Sequence, residues 1–167
     1  MNQDPNLHVT TLPNGLRIAT RLMSGLHSTA LGIWVNAGGR NERPEQNGIA
    51  HFLEHMAFKG TPTRTPLEIA EAIENVGGYI NAYTSRDATA YYVRVLEDDV
   101  DLAFDVMSDI VLNPVFDERE IEVERGVILQ EIGQSLDTPD AALREIHAHT
   151  QEPVRYASAT AYARSEE

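Results

Sequence analysis

His51, Glu54 and His55 form a His-x-x-Glu-His run within Gly48-Ile49-Ala50-His51-Phe52-Leu53-Glu54-His55-Met56-Ala57-Phe58-Lys59-Gly60-Thr61. Helical residues advance by about 100° each, so the three side chains fall within an arc of roughly 100°. Two imidazoles one turn apart can hold one metal ion, and a carboxylate beside them can take a proton from a water that the metal has activated. The order is the reverse of His-Glu-x-x-His. At this composition, with 6 His, chance supplies on the order of 0.02 such matches per chain, so the spacing is informative. Ala50, Phe52, Leu53, Met56, Ala57 and Phe58 surround the run and predict a largely buried helix. Buried imidazoles and carboxylates need partners, and a metal would be one.

A catalytic zinc site usually has three protein ligands and one open position. The chain has no cysteine, so no disulfide is available and the third donor must be His, Asp or Glu. A long helix beginning near Asp117, with Glu120 in the capping-box position, offers Glu118, Glu120, Glu122, Glu124 and Glu131. The first three lie in the opening turns, where acids suit the helix dipole. Glu124 and Glu131 are seven positions apart and share a face to within about 20°. That face also carries Val127 and Ile128, beside which a carboxylate is costly unless paired or metal-bound. His8 and His27 sit in exposed hairpin context, and His147 and His149 would point to different sides of a helix.

The elements that must position these groups are legible as patterns. Leu7–Leu12 and Leu16–Leu22 flank Pro13-Asn14-Gly15 and read as a hairpin. Ser28–Asn36 reads as a buried central strand, and residues 37–47 as a loop. Thr65-Pro66-Leu67-Glu68 starts a helix that Gly77-Gly78 stops. Tyr79–Ser85 and Ala88–Leu96 read as strands joined tightly at Arg86-Asp87. Asp98–Leu112 reads as a helix with Val100, Phe104, Met107 and Val111 on one stripe. In the long helix, Ile121, Val127, Ile128, Ile132 and Leu136 form an apolar side. Asp137-Thr138-Pro139 breaks that helix, Asp140–Thr150 allows one more, and residues 153–167 read as poorly ordered. The expected class is α+β, a mainly antiparallel sheet with helices on one face. Residues 1–139 form one incomplete domain and residues 140–167 a divergent tail.

The 167 residues suit one domain, and the hydrophobic share of 42% is enough for a core. A net charge of −13 and a pI near 4.8 argue against nucleic acid and anionic membranes as partners. The acidic stretch from Glu97 to Glu124 reads as the solvated faces of two helices. The polar start Met1–Asn6 is neither a secretory nor a transit-type leader, and no apolar run approaches a membrane span. The expected compartment is a bacterial-type cytoplasm.

Four segments together resemble the pitrilysin-type (M16) zinc peptidases, on the branch of processing peptidases and their bacterial relatives. They are Gly38-Gly39-Arg40-x-Glu42; Gly48 to Thr61; Asn81-Ala82-Tyr83-Thr84; and Glu124-Arg125-x-Val127-Ile128-x-x-Glu131. The likeness runs from about residue 7 to 139, and Gly39 stands where many relatives have Ser. It implies zinc on His51, His55 and Glu131, the last being 76 positions after His55, with Glu54 as general base. It also implies that Glu124 supports a ligating imidazole from behind. Its substrate peptide adds as a β-strand beside the metal, which would assign Asn81, Ala82 and Tyr83 to substrate binding.

The implied activity is zinc-dependent endoproteolysis, alone or with a homologous partner subunit or second copy. Relatives are two to four times longer, with paired halves. A truncated or non-catalytic subunit that needs a missing half, or a fragment without a stable fold, are therefore the alternatives.

Overall fold

The computed structural model describes residues 4–137, with side chains described through residue 134. The expected helix at 140–150, the tail at 153–167, the domain boundary at 139/140 and His147/His149 lie outside the described residues. The first two strands, β1 (Leu7–Thr11) and β2 (Arg17–Arg21), form the expected hairpin in the register Leu7↔Arg21 to Thr11↔Arg17. Its turn is closed by Gly15 N–H donating to Leu12 O at 2.9 Å and Leu16 N–H to Asn14 Oδ1 at 3.1 Å.

A second, three-stranded antiparallel sheet has the order β3 (Ser28–Val35), β5 (Thr89–Leu96), β4 (Tyr79–Thr84). The expectation of a buried central strand at 28–36 needs correction. Among the described residues β3 pairs only with β5, and its Trp34 is 64% exposed. The centre is β5, whose Tyr91, Val93 and Val95 point into the core. An apolar run shows that a segment is extended; it does not show how many neighbours it has.

Helices α1 (Ile49–Ala57), α2 (Pro66–Glu74) and α3 (Val100–Leu112) cover one face of this sheet. The α2 start follows the expected chemistry: Glu68 N–H donates to Thr65 Oγ1, Thr65 N–H donates to the Glu68 carboxylate, and Pro66 opens the first turn. In the core, Ile69 and Ile73 of α2 meet Ala103, Val106, Met107 and Ile110 of α3 over Ala82, Tyr91 and Val93. The expected α3 stripe is corrected at Phe104, which is 63% exposed. The buried set 103, 106, 107, 110 keeps helical spacing, and Phe104 lies about 100° round from Ala103.

The last helix, α4 (Glu118–Asp137), is capped by Asp117 Oδ1, which accepts from Arg119 N–H at 2.9 Å and Glu120 N–H at 3.3 Å. It rests on α1. Of its expected apolar side, among the described side chains, Ile128 is buried, Ile121 and Ile132 are half-buried and Val127 is exposed. No described helix is long and apolar enough to cross a membrane.

The turn after α1 is pinned by Asp109 of α3. Its Oδ2 accepts from Thr61 Oγ1 and Thr63 Oγ1 at 2.7 Å each and from Arg64 Nη1 at 2.8 Å, while Oδ1 accepts from Asn113 Nδ2 at 3.0 Å. The hydroxyls of Thr61 and Thr63, followed by the Asn113 and Arg64 bonds, outweigh burial and hold this carboxyl well below the usual carboxylate range. Such a carboxylate contributes stability above its unfolded pKa of about 4, lost as pH falls towards its folded value. Asp109→Ala leaves several donors without an acceptor. Urea unfolding at pH 7 should show a loss of about 3 kcal/mol, shrinking below pH 4. A loss under 1 kcal/mol would show that Asp109 does not pin this turn.

Candidate metal centre

The position of α1 is fixed at its N-terminus. Gly48 precedes it with φ 89°, a left-handed conformation that favours glycine. The Glu42 carboxylate accepts from Gly48 N–H at 2.7 Å and Ala50 N–H at 2.8 Å, satisfying donors left over at a helix start. Glu42 is in turn held by its loop. Gly39 N–H donates to Ser85 O at 3.1 Å, and Arg40 N–H to Arg86 O at 2.9 Å. A Cβ on Gly38 would lie 2.3 Å from Ser85 O, so only glycine permits this approach. The β4–β5 turn, the 38–42 loop and α1 thus form one unit.

As expected, α1 is largely buried: His51, Glu54, Met56 and Ala57 are buried and Phe52 is half-buried, while Leu53 is 44% exposed. The Nε2 atoms of His51 and His55 lie 3.1 Å apart. Glu131 Oε2, from α4, lies 3.8 Å from the first and 3.7 Å from the second. One donor atom from each of these residues falls within 4.8 Å of the others. A tetrahedral ion with bonds of about 2.0–2.1 Å would set its ligand atoms about 3.3 Å apart. Glu131 Oε2 is buried without a hydrogen-bond partner, a costly state that a cation relieves. The donor set and its spacing therefore fit a metal ion.

Glu54 faces the same space. Its Oε2 is also buried without a hydrogen-bond partner. Burial pushes its carboxyl up, opposed by a hydrogen bond from Thr84 and the nearby His55, while the charge of Glu131 pushes it further up. A carboxylate so placed can hold a proton more readily than an exposed one. Glu124 is 2% exposed. Its Oε2 accepts from His55 Nδ1 at 2.8 Å, and its Oε1 lies 2.6 Å from Lys59 Nζ. Burial pushes the Glu124 carboxyl up, but the bonds and charges of Lys59 and His55 together hold it below the ordinary value. With Nδ1–H donated to Glu124, His55 turns its Nε2 lone pair towards His51 and Glu131.

The three donors and Glu54 line a cleft of about 350 Å³. Its other wall is Tyr79, Asn81, Ala82 and Tyr92, from β4 and β5. Strand β4 pairs only with β5 among the described residues, so its other edge carries no strand there. Ala82 is buried, Asn81 is exposed, Tyr83 is half-buried and Tyr79 is 51% exposed. The structure brings His51, Glu54, His55, Glu124 and Glu131 together and sets Asn81 and Ala82 beside them; Tyr83 stands one residue along the same strand. Three contributors were not singled out from the sequence: Glu42, Lys59 and Thr84. Glu42 and Lys59 stand in the quoted motifs Gly-Gly-Arg-x-Glu and Phe-Lys-Gly-Thr.

Residues 17–164 match the sequence profile of the insulinase family, peptidase family M16. The chain is 48% identical over 145 residues to a probable mitochondrial-processing peptidase subunit beta of Arabidopsis thaliana, covering 86% of this chain and 27% of that protein. It is 45% identical over 141 residues to an uncharacterised zinc protease of Streptomyces coelicolor, covering 84% of this chain and 31% of that protein. Among solved structures, a protease from Helicobacter pylori matches with a TM-score of 0.78 at 29% identity, over 83% of this chain and 34% of that one. The chain thus spans about three-tenths of the length of the curated relatives it matches.

Burial, and secondarily the neighbouring His55, pull the His51 imidazole down from 6.5 to about 4. Between those values the unfolded chain binds more protons than the folded one, so stability falls as pH is lowered from about 6.5 to about 4. NMR titration of the chelator-treated chain should give a His51 midpoint near 4. Replacing His51 by Asn should flatten the stability slope in that window. A His51 midpoint at 6.5 or higher would contradict the buried placement of the ring.

Proposed function

The chain belongs to the insulinase family of peptidases, M16, and on that premise we propose that His51, His55 and Glu131 hold a zinc ion with which Glu54 hydrolyses peptide bonds. The observation that carries this reading is the convergence of three donor atoms within 4.8 Å beside a buried carboxylate in a cleft. His₂Glu is a known donor set of catalytic zinc. A bound zinc ion supplies Lewis acidity, which brings a water close to ionisation at neutral pH.

Every other part of the proposal lies in the chain's own groups. Glu54 Oε2 has no competing hydrogen-bond partner, so it is available to take a proton from the attacking water and return it to the leaving amine. Glu124 holds His55 through Nδ1, fixing the ring and its tautomer. The substrate peptide lies along the outer edge of β4, where main-chain groups of residues 81–83 pair with it whatever its sequence, and Asn81 adds an amide donor and acceptor. Cleavage preference then comes from pockets for alternate side chains. Because the relatives are about three times as long, the far wall of the cleft belongs to further sequence or to a homologous partner subunit. A purely structural subunit would have no use for the assembled donor set.

Elemental analysis should find about one zinc per chain, much reduced in Glu131→Ala and in His51→Ala or His55→Ala. Glu54→Gln should retain zinc and lose peptide turnover by about 10²–10⁴-fold. A folded parent chain without zinc would overturn the reading. Loss of zinc in Glu54→Gln would remove Glu54 from the role of base.

A further inference from the structure

We infer that Lys59 is a positioning residue for the zinc site, acting through Glu124 on His55. This deepens the peptidase reading and rests on it. The chain of contacts is short and buried. Lys59 Nζ is 2.6 Å from Glu124 Oε1, and Glu124 Oε2 is 2.8 Å from His55 Nδ1. The Glu124 side chain is 3% exposed and that of Lys59 29% exposed, so water competes little for the inner end of this contact.

The two oxygens of one carboxylate are therefore divided between two tasks. The terminal torsion of a glutamate is broad and roughly two-fold, so a single contact to His55 would leave the carboxylate free to rock. A second contact on the other oxygen removes that freedom and sets the direction in which His55 Nδ1–H must point. That direction determines where His55 Nε2 faces, 3.1 Å from His51 Nε2.

Lys59 is itself held at both flanks. Its N–H donates to Met56 O at 3.1 Å, closing the end of α1. Two residues on, Thr61 is fastened to Asp109. Gly60, with φ 112°, turns the chain between the two. The ammonium group is thus delivered from α1's own C-terminal turn to a carboxylate on α4, and it ties together the two helices that supply the ligands.

The test is zinc affinity of the full chain, measured by competition with a chromogenic chelator and zinc alone as the probe. Partners behind a metal ligand typically influence affinity by about 10–100-fold, so Lys59→Met should weaken zinc binding by about tenfold. Lys59→Arg, which keeps a donor on Glu124, should recover most of the loss. In a Glu124→Gln background, Lys59→Met should add almost nothing, since its route to the metal is already cut. Melting of the chelator-treated variants reports folding separately, and Lys59→Leu substitutes for Lys59→Met should the latter not fold. Unchanged affinity in Lys59→Met overturns the inference while leaving the peptidase reading intact. So does an equal loss in both backgrounds, or no recovery with Arg. No zinc on a folded parent chain would instead sink the peptidase reading, and this inference with it.

Discussion

The 2.8 Å contact between His55 Nδ1 and Glu124 Oε2 is the interaction on which the centre depends. It joins α1, which carries two of the proposed ligands, to α4, which carries the third. Among the described side chains the apolar contact between these helices is thin: Ile128 is buried, while Val123, Val127 and Leu129 are exposed. Polar groups therefore carry much of the docking. A buried carboxylate between a lysine and an imidazole is costly to separate, because removing one partner strands the others away from water. The same contact that holds the helices together also orients a ring, so assembly of the site and assembly of this corner of the fold are one event.

Around that contact, each support serves the placement of α1. Its N-terminus is held by Glu42, and Glu42 by a glycine-rich loop fastened to the β4–β5 turn. Its C-terminus runs into a turn fastened to Asp109 of α3. The strand that ends in that β4–β5 turn also forms one wall of the cleft. Site and sheet edge are thereby kept in fixed relation, as addition of a peptide strand next to a metal would require.

The fold was legible where the signals were local. The β1–β2 hairpin, the Thr65 capping box, the Asp117 cap and the β4–β5 turn all follow from residues within a few positions of one another, and all appear as expected. Legibility failed where a residue's surroundings come from elsewhere in the chain. Ser28–Asn36 reads as a buried central strand, yet β5 occupies the central position. Phe104 reads as part of the apolar stripe of α3, yet it is exposed.

The sequence by itself placed two of the three proposed donors, with Glu54 beside them. His51, Glu54 and His55 are bound to one face by helical geometry alone, so their spacing is already a statement about space. For the third donor the residues narrowed the choice to Glu124 and Glu131, and resemblance to a family separated their roles. Only the tertiary structure decided that Glu131 approaches the two imidazoles while Glu124 lies behind one of them, that Lys59 shares that carboxylate, and that β4 borders the cleft. These are contacts between residues far apart in the chain, such as Glu124 and His55, 69 positions apart. They are set by how helices dock and strands pair, for which no local periodicity is a guide.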